Sequence, residues 1–355
     1  MWWFDLDKLR ETGERILRRL EEAGHEAYFV GGFVRDFLMG RITKDIDITT
    51  SARPDDVKKL FSRTKETGAA FGTLTVLEGG FAFEVTTYRS EGRYDNHRHP
   101  GEIAFSDSLE ADLSRRDFTI NQLVMDHEGR VKDHFDGRKD LEKGLIRTIG
   151  DAGKRFEEDA LRMLRAFRFQ AVLGFSLEEK TARAAGEKRH LIHEISIERV
   201  QDELLKLLSA PHARKALRTM LEISFAQTLF GSDKAVSVLA GSRYRFDAVT
   251  AFAIMAVVDG LDIEEWRFSK SFAAKVETVR SLHEATYQKG FTPLHVFEKG
   301  RRASERADRV NRLLGDANSR EKIREIDKRL PISERADLAV KGGDIARAYP
   351  VKNPE

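Results

Sequence analysis

Apolar residues recur at helical spacing between residues 5 and 23, at Leu6, Leu9, Ile16 and Leu20, and the run ends at Gly24, which predicts an amphipathic helix. Tyr28-Phe29-Val30 then reads as a short buried strand. Phe33 to Met39 reads as a short helix stopped by Gly40, and the β-branched residues Ile46, Ile48, Thr49 and Thr50 favour a second strand that includes Asp45 and Asp47. A short helix is expected from Asp55 to Phe61. Phe71–Leu77 and Phe81–Tyr88 form two strands joined by Glu78-Gly79-Gly80, a hairpin. The turn-rich polar segment Ser90–Gly101 is expected to lack regular structure. Helical periodicity returns from Arg155 to Val172, where Leu161, Leu164 and Phe167 alternate with Arg162, Arg165 and Arg168. Ser196 opens and caps a further amphipathic helix that runs to Leu208. Beyond Ala210 helices are expected over 211–224, 246–259, 269–287, 301–314 and 318–329, with no recurrence of a strand pattern. The pattern is that of an α+β chain, with its sheet early and only helices late.

Composition narrows the class. A chain of 355 residues, 41% hydrophobic and 34% charged, is long enough for more than one domain with its own core. No apolar run approaches a bilayer span, the start lacks the basic-then-apolar order of a secretion signal, and zero cysteines remove disulfides and thiolate metal sites. A cytoplasmic home without membrane contact is the expectation. The net charge of +2 hides an asymmetry, since residues 1–150 sum to −4 and residues 151–355 to +6. A polyanionic partner would favour the second part, and scattered surface charge is the plainer reading.

Candidate chemistry begins at Asp45-Ile46-Asp47. Alternate residues of a strand share a face, so the two carboxylates would point the same way and offer oxygen ligands to a hard cation such as Mg²⁺. Just before them, Gly31-Gly32 lets the backbone turn and approach a ligand closely ahead of a helix, a seat suited to phosphate. Glu84 stands between apolar neighbours in the second hairpin strand and is either exposed or aimed at that metal site. Asp159 and Arg162 are three residues apart and would lie side by side on one helix face, as a solvated ion pair or as something sharper. Cytosine and adenine both present an exocyclic amino donor beside a ring-nitrogen acceptor, whereas uracil and guanine do not. An aspartate that accepts from the amino group and an arginine that donates to the ring nitrogen, hydrogen bonded to each other, would reject the wrong bases by on the order of 10⁴.

Gly31-Gly32, Val34-Arg35-Asp36, Gly40-Arg41 and Asp45-x-Asp47, followed by Arg115-Arg116-Asp117-Phe118-Thr119-Ile120-Asn121 and Glu158-Asp159-x-x-Arg162, resemble the ordered motifs of class II tRNA nucleotidyltransferases, the CCA-adding enzymes of the tRNA nucleotidyltransferase and poly(A) polymerase family. The resemblance covers residues 28 to about 210 closely. It implies a polymerase-beta-like mixed-sheet head over 1–145, a helical neck over 146–208, a helical body over 209–300 and a helical, tRNA-binding tail over 301–355. The tail resembles only the start of the family's tail and is expected to be short.

By the same resemblance, Asp45 and Asp47 hold two Mg²⁺ ions, with Glu84 as the third acidic residue of this polymerase fold. Gly32, Arg35, Arg116, Arg165 and Arg168 hold the nucleotide, and Asp159 with Arg162 reads its base. A surface salt bridge from Arg116 to Asp117 is the alternative for that arginine. The segment Ser90–Gly101 corresponds to a flexible loop that helps the family switch from C to A; its full length argues against a C-only enzyme. Two departures stand out: Gln122-Leu123-Val124 where small residues usually follow the asparagine, and Gly137 alone where paired glycines are usual. The implied activity is template-independent addition of CMP and AMP, from CTP and ATP, to the tRNA 3′ end. The rivals are an enzyme adding only the terminal AMP, a bacterial poly(A) polymerase, whose Gly-Arg/Lys-Arg/Lys-Phe signature is missing, and a catalytically inactive tRNA-binding module. Arg301, Arg302, Arg306, Arg309 and Arg312 form a basic cluster on one predicted helix, either an RNA-phosphate contact or a solvated face.

Overall fold

The computed structural model describes residues 2–43, 45–68, 72–91, 94–95, 99–100, 103–332, 344 and 347. The chain divides into two units, residues 1–231 and residues 232–355. In the first, the amphipathic run forms α1 (Trp2–Glu22), and Gly24, at φ 88°, turns the chain into β1 (Ala27–Val30). After α2 (Gly32–Leu38) come β2 (Asp47–Thr50), α3 (Pro54–Leu60), β3 (Thr64–Gly68), β4 (Thr73–Glu78) and β5 (Phe81–Thr87). Gly79 and Gly80 both have positive φ, as a tight hairpin between β4 and β5 requires. Phe71, the expected start of the first hairpin strand, lies outside the described residues.

Next are β6 (Arg89–Glu91), β7 (Tyr94–Asp95), β8 (His99–Pro100), β9 (Ile103–Phe105), α4 (Leu109–Ser114), β10 (Val124–Met125), β11 (Val131–Lys132), α5 (Gly137–Lys143) and β12 (Leu145–Ile146). Seven strands make one mixed sheet in the order β11-β10-β1-β2-β5-β4-β3, antiparallel except between β2 and β5. The expectation of no regular structure over Ser90–Gly101 is corrected: β6 pairs with β9, and β7 with β8. The ladder partner of Ser90 is Ala104, beyond the segment, so local turn chemistry could not reveal it. The other residues of that segment lie outside the described ones.

The two faces of the sheet differ. Phe29, Ile48, Phe83, Val85, Leu74 and Val76 are buried with Leu17 and Leu20 of α1 and Val57 of α3, each large side chain contributing about 1.5–3 kcal/mol on burial. Gly13 lets α1 approach this closely, because a Cβ there would sit 2.7 Å from the Phe29 ring. The opposite face carries Asp47 beside Glu84 and Glu84 beside Thr75 in register across β2, β5 and β4.

The unit closes with α6 (Ala152–Glu158), α7 (Leu161–Leu173), β13 (Ser176–Leu177), α8 (Glu179–Glu187), α9 (Ile197–Leu208), α10 (Ala213–Glu222) and α11 (Phe225–Phe230). α7 packs on α9 and α10, with Leu164, Phe167, Leu204, Leu207, Leu217 and Met220 fully buried. Ser196 occupies the N-cap position of α9, but its side chain accepts no capping hydrogen bond, contrary to the sequence reading.

The second unit contains α12 (Lys234–Gly241), α13 (Ala248–Val258), α14 (Lys270–Thr286), α15 (Pro293–Lys299), α16 (Arg301–Leu313) and α17 (Arg320–Arg329). α13 is apolar all round and central, and its Phe252 meets Trp266, Phe268 and Phe272 edge to face. The arginines of α16 do not form one free face. Arg306 pairs with Asp247 at 2.6 Å, Arg312 with Asp308 at 3.0 Å while lying over the Tyr244 ring, and Arg301 with Asp327 at 3.1 Å. Arg301 and Arg302 are the exposed members.

Candidate active site

At the end of β1 the chain must turn sharply, and Gly31 does so at φ 76°, ψ −136°. A Cβ on Gly31 would lie 3.6 Å from Asp47 Oδ2 and 4.0 Å from Arg116 Nη1, so the turn sets bare backbone against a carboxylate and a guanidinium. Gly32 opens α2, and one turn later Arg35 is only 6% exposed. Arg35 donates from Nη1 to Asn121 Oδ1 at 2.7 Å and from Nε and Nη2 to both oxygens of Asp36.

The strand reading of Asp45 is corrected. β2 begins at Asp47, which pairs with Val30; because Gly31 turns away at that point, β1 offers no partner to Asp45. The alternation nevertheless persists, with Ile46 buried between two exposed aspartates, and both aspartates line one cavity of about 520 Å³. Glu84 stands next to Asp47 in register and is exposed, but it is not among the residues lining the cavity. Asp47 is open to solvent yet crowded by protein on its inner side. Burial, followed by Glu84, pushes its carboxyl up to about 6, with Arg116 opposing and Asp45 reinforcing. Among the described residues no group of three or more His, Cys, Asp or Glu is arranged to hold a metal ion. The fit to a divalent cation therefore rests on two all-oxygen donors, Asp45 and Asp47, and on the negative charge at Asp47 that Arg116 only partly offsets.

The segment after α4 supplies the opposing wall. Asp112, fully buried, accepts from Thr49 of β2, from the Arg89 backbone N–H, from Arg115 at 3.0 and 2.6 Å and from Arg116 at 3.1 Å. The alternative pairing of Arg116 with Asp117 is thus replaced by Asp112, and Arg116 Nε is left buried without a hydrogen-bond partner beside the cavity. Asp117 instead takes Arg165 at 2.8 and 2.5 Å, together with Asn121 Nδ2 and the Phe118 N–H. Burial pushes the Asp117 carboxyl up, but Arg165 and these hydrogen bonds outweigh it and hold the group below its ordinary value. The lone Gly137 is enforced by space, since a Cβ there would lie 2.3 Å from the Thr119 carbonyl oxygen.

The single helix expected over Arg155–Val172 is two helices. Asp159, at φ −149° and ψ 103°, breaks the run, and its Oδ1 accepts from Leu161 N–H at 3.1 Å, a side-chain bond that competes with the helical ladder. Asp159 and Arg162 are therefore not neighbours on one continuous helix face. Asp159 pairs with Arg199 of α9 at 2.8 Å, while Arg162 donates to Glu158 at 2.6 Å and to the carbonyls of Arg155 and Arg115. Both still line the cavity that holds Asp45 and Asp47, as do Arg165 and Arg168. Arg168 pairs with Glu203 of α9 at 2.5 Å.

Sequence reasoning gave no role to Asp112, Phe169, Arg199 or Glu203, and named Asn121 only as part of a motif. A signal did exist for Glu203: Val200, Leu204, Leu207 and Leu208 define the buried stripe of α9, and Glu203 falls on that stripe. An acid at such a position needs a buried partner.

Residues 27–147 match the Poly A polymerase head domain family, residues 174–232 the family described as "Probable RNA and SrmB- binding site of polymerase A", and residues 248–354 the tRNA nucleotidyltransferase domain 2 family. The chain is 37% identical over 338 residues to the CCA-adding enzyme of Lactobacillus helveticus (strain DPC 4571), covering 92% of this chain and 85% of the relative. It is 38% identical over 348 residues to that of Geobacillus sp. (strain WCH70), covering 94% and 86%. Among solved structures, the Bacillus stearothermophilus CCA-adding enzyme in complex with CTP superposes with a TM-score of 0.85 at 33% identity, covering 97% of this chain and 89% of that one. Membership of this nucleotidyltransferase family suggests a divalent metal. Among the described residues no helix is long and apolar enough to cross a membrane.

Proposed function

The chain belongs to the CCA-adding enzyme family of tRNA nucleotidyltransferases, and from that premise we propose that it adds CMP and AMP from CTP and ATP to the 3′ end of tRNA without a template, releasing pyrophosphate. One observation carries the assignment of its working parts: Asp45 and Asp47 share a single cavity with Asp159, Arg162 and six further arginines that face a common space. The Asp45 and Asp47 carboxylates would hold Mg²⁺, whose chemistry there is to acidify the terminal ribose hydroxyl and offset charge on the phosphates. Glu84, next to Asp47, adds negative charge from outside the cavity lining.

Gly32, Arg35, Arg116, Arg165 and Arg168 seat the triphosphate. Guanidinium forks suit this task because they stay charged and donate in pairs to phosphate oxygens, and the free Arg116 Nε is such a donor. Asp159 accepts from the amino group of cytosine or adenine while Arg162 donates to the ring nitrogen. To do so each would exchange its present partner, Arg199 or Glu158, for the base. Uracil and guanine would leave these groups unpaired. Residues 1–145 act as the head, 146–208 as the neck, 209–300 as the body and 301–355 as the tail, with exposed Arg301 and Arg302 available to RNA phosphates in a cytoplasmic setting. The kinship to full CCA-adding enzymes does not favour an enzyme limited to the terminal adenosine, nor an inactive module.

The decisive assay uses purified protein, Mg²⁺, labelled CTP or ATP, and tRNAs ending before CCA, after C and after CC. Incorporation is expected on all three ends, with activity abolished in Asp45→Ala and Asp47→Ala. Asp159→Ala should admit UTP and GTP, and unchanged base selection in that variant would remove Asp159 from the template role.

A further inference from the structure

Building on the nucleotide-holding role assigned above to Arg35, Arg165 and Arg168, we propose that Phe169 is a positioning residue that gathers these three guanidiniums into one triphosphate-binding wall. Phe169 is 6% exposed and borders the cavity. The guanidinium carbon of Arg168 lies 4.1 Å from its ring centroid, that of Arg35 5.3 Å and that of Arg165 5.7 Å. Arg35 comes from α2 and the other two from α7, so the ring stands where the head's glycine turn and the helix after Asp159 converge. Phe118 meets the ring edge-on at 5.7 Å and 81°, which fixes its plane.

Three guanidiniums around one cavity repel one another, and something must hold them near a ligand before the ligand arrives. A carboxylate can do this only by occupying N–H donors, as Asp117 does with Nε and Nη2 of Arg165. An aromatic face attracts the flat cation through its π electrons and leaves the N–H edges to phosphate oxygens. Asp36, Asp117 and Glu203 each hold one of these arginines through its N–H donors, whereas Phe169 is the neighbour common to all three and adds an attraction that takes up no further donor.

Steady-state kinetics on the full chain test this, with ATP on tRNA ending in CC and CTP on tRNA lacking CCA. Phe169→Leu, which keeps apolar bulk but loses the ring, should raise KM for both nucleotides about five- to tenfold, leave kcat within about twofold and leave rejection of UTP and GTP unchanged. Phe169→Tyr, which keeps the ring, should hold KM within about twofold of the parent. Phe169→Met, also without a ring, is read in the same way should Phe169→Leu not fold. An unchanged KM in the ringless variant, or equal rises in the ringless and Tyr variants, overturns the proposal. Arg165→Ala and Arg168→Ala run alongside: if they too leave nucleotide KM unchanged, the underlying assignment of the arginines falls, whereas a rise in them alone removes only the role of Phe169.

Discussion

Asp47 bears the clearest electrostatic tension of any single side chain in the site. Its carboxyl is raised from 3.8 to about 6, chiefly by burial and then by Glu84. An acid with a higher pKa folded than unfolded holds its proton more tightly in the native state, so its effect on stability is most favourable at low pH. That effect is lost as pH rises from about 3.8 through about 6. In metal-free calorimetry Asp47→Asn, which cannot ionise, should therefore melt above the parent at pH 8 and level with it at pH 4, while losing catalysis. Equal melting at both pH values would show that the site carries this charge without cost. The residues in this account were open to sequence reading to different degrees. Asp45, Asp47 and the arginines around Asp159 announce themselves by spacing, whereas the burial of Asp112 does not: Arg115 and Arg116 are near neighbours, but Thr49 and Arg89, which complete its shell, lie far away along the chain.

Helices α7 and α9 are coupled by charge as much as by packing. Glu203 sits on the buried stripe of α9 and reaches Arg168 at 2.5 Å and Arg165 at 3.8 Å, and Arg199 one turn earlier takes Asp159. Removing one member of a buried pair strands the other. Glu203→Ala should cost about 2 kcal/mol in denaturant unfolding, less than a fully buried pair because Arg168 lines the cavity and can turn into it. It should also raise KM for CTP and ATP; an intact denaturation midpoint would mean that α9 is held by its leucines alone. The helix break at Asp159 belongs to this scale as well. Periodicity over Arg155–Val172 gave no hint of it, since a carboxylate that caps Leu161 and meets Arg199 responds to partners that a helical wheel does not contain.

Over the molecule as a whole, charge is unevenly divided, −4 in residues 1–150 and +6 in residues 151–355, and the positive excess of the second part suits an RNA backbone. Affinity for tRNA should fall about ten- to a hundredfold between 50 and 200 mM salt, as release of counterions from a few phosphate contacts requires, while KM for CTP moves much less. Salt-independent tRNA binding would argue against backbone recognition. The amino-acid sequence by itself determined an early sheet followed by helices, the hairpin at Gly79-Gly80 and the identity of most cavity-lining chemistry, because periodicity, turn propensity and short motifs are encoded between near neighbours. Asp112 with Arg116 and Glu158 with Arg162 are pairs four residues apart that spacing itself offers, but only the tertiary structure decided the distant ones: Arg199 for Asp159, Arg165 for Asp117 and Arg168 for Glu203. Such pairings depend on which buried charges the fold brings within a few ångströms, where the loss of water makes each partner obligatory, and that proximity is a property of the packed chain rather than of spacing along it.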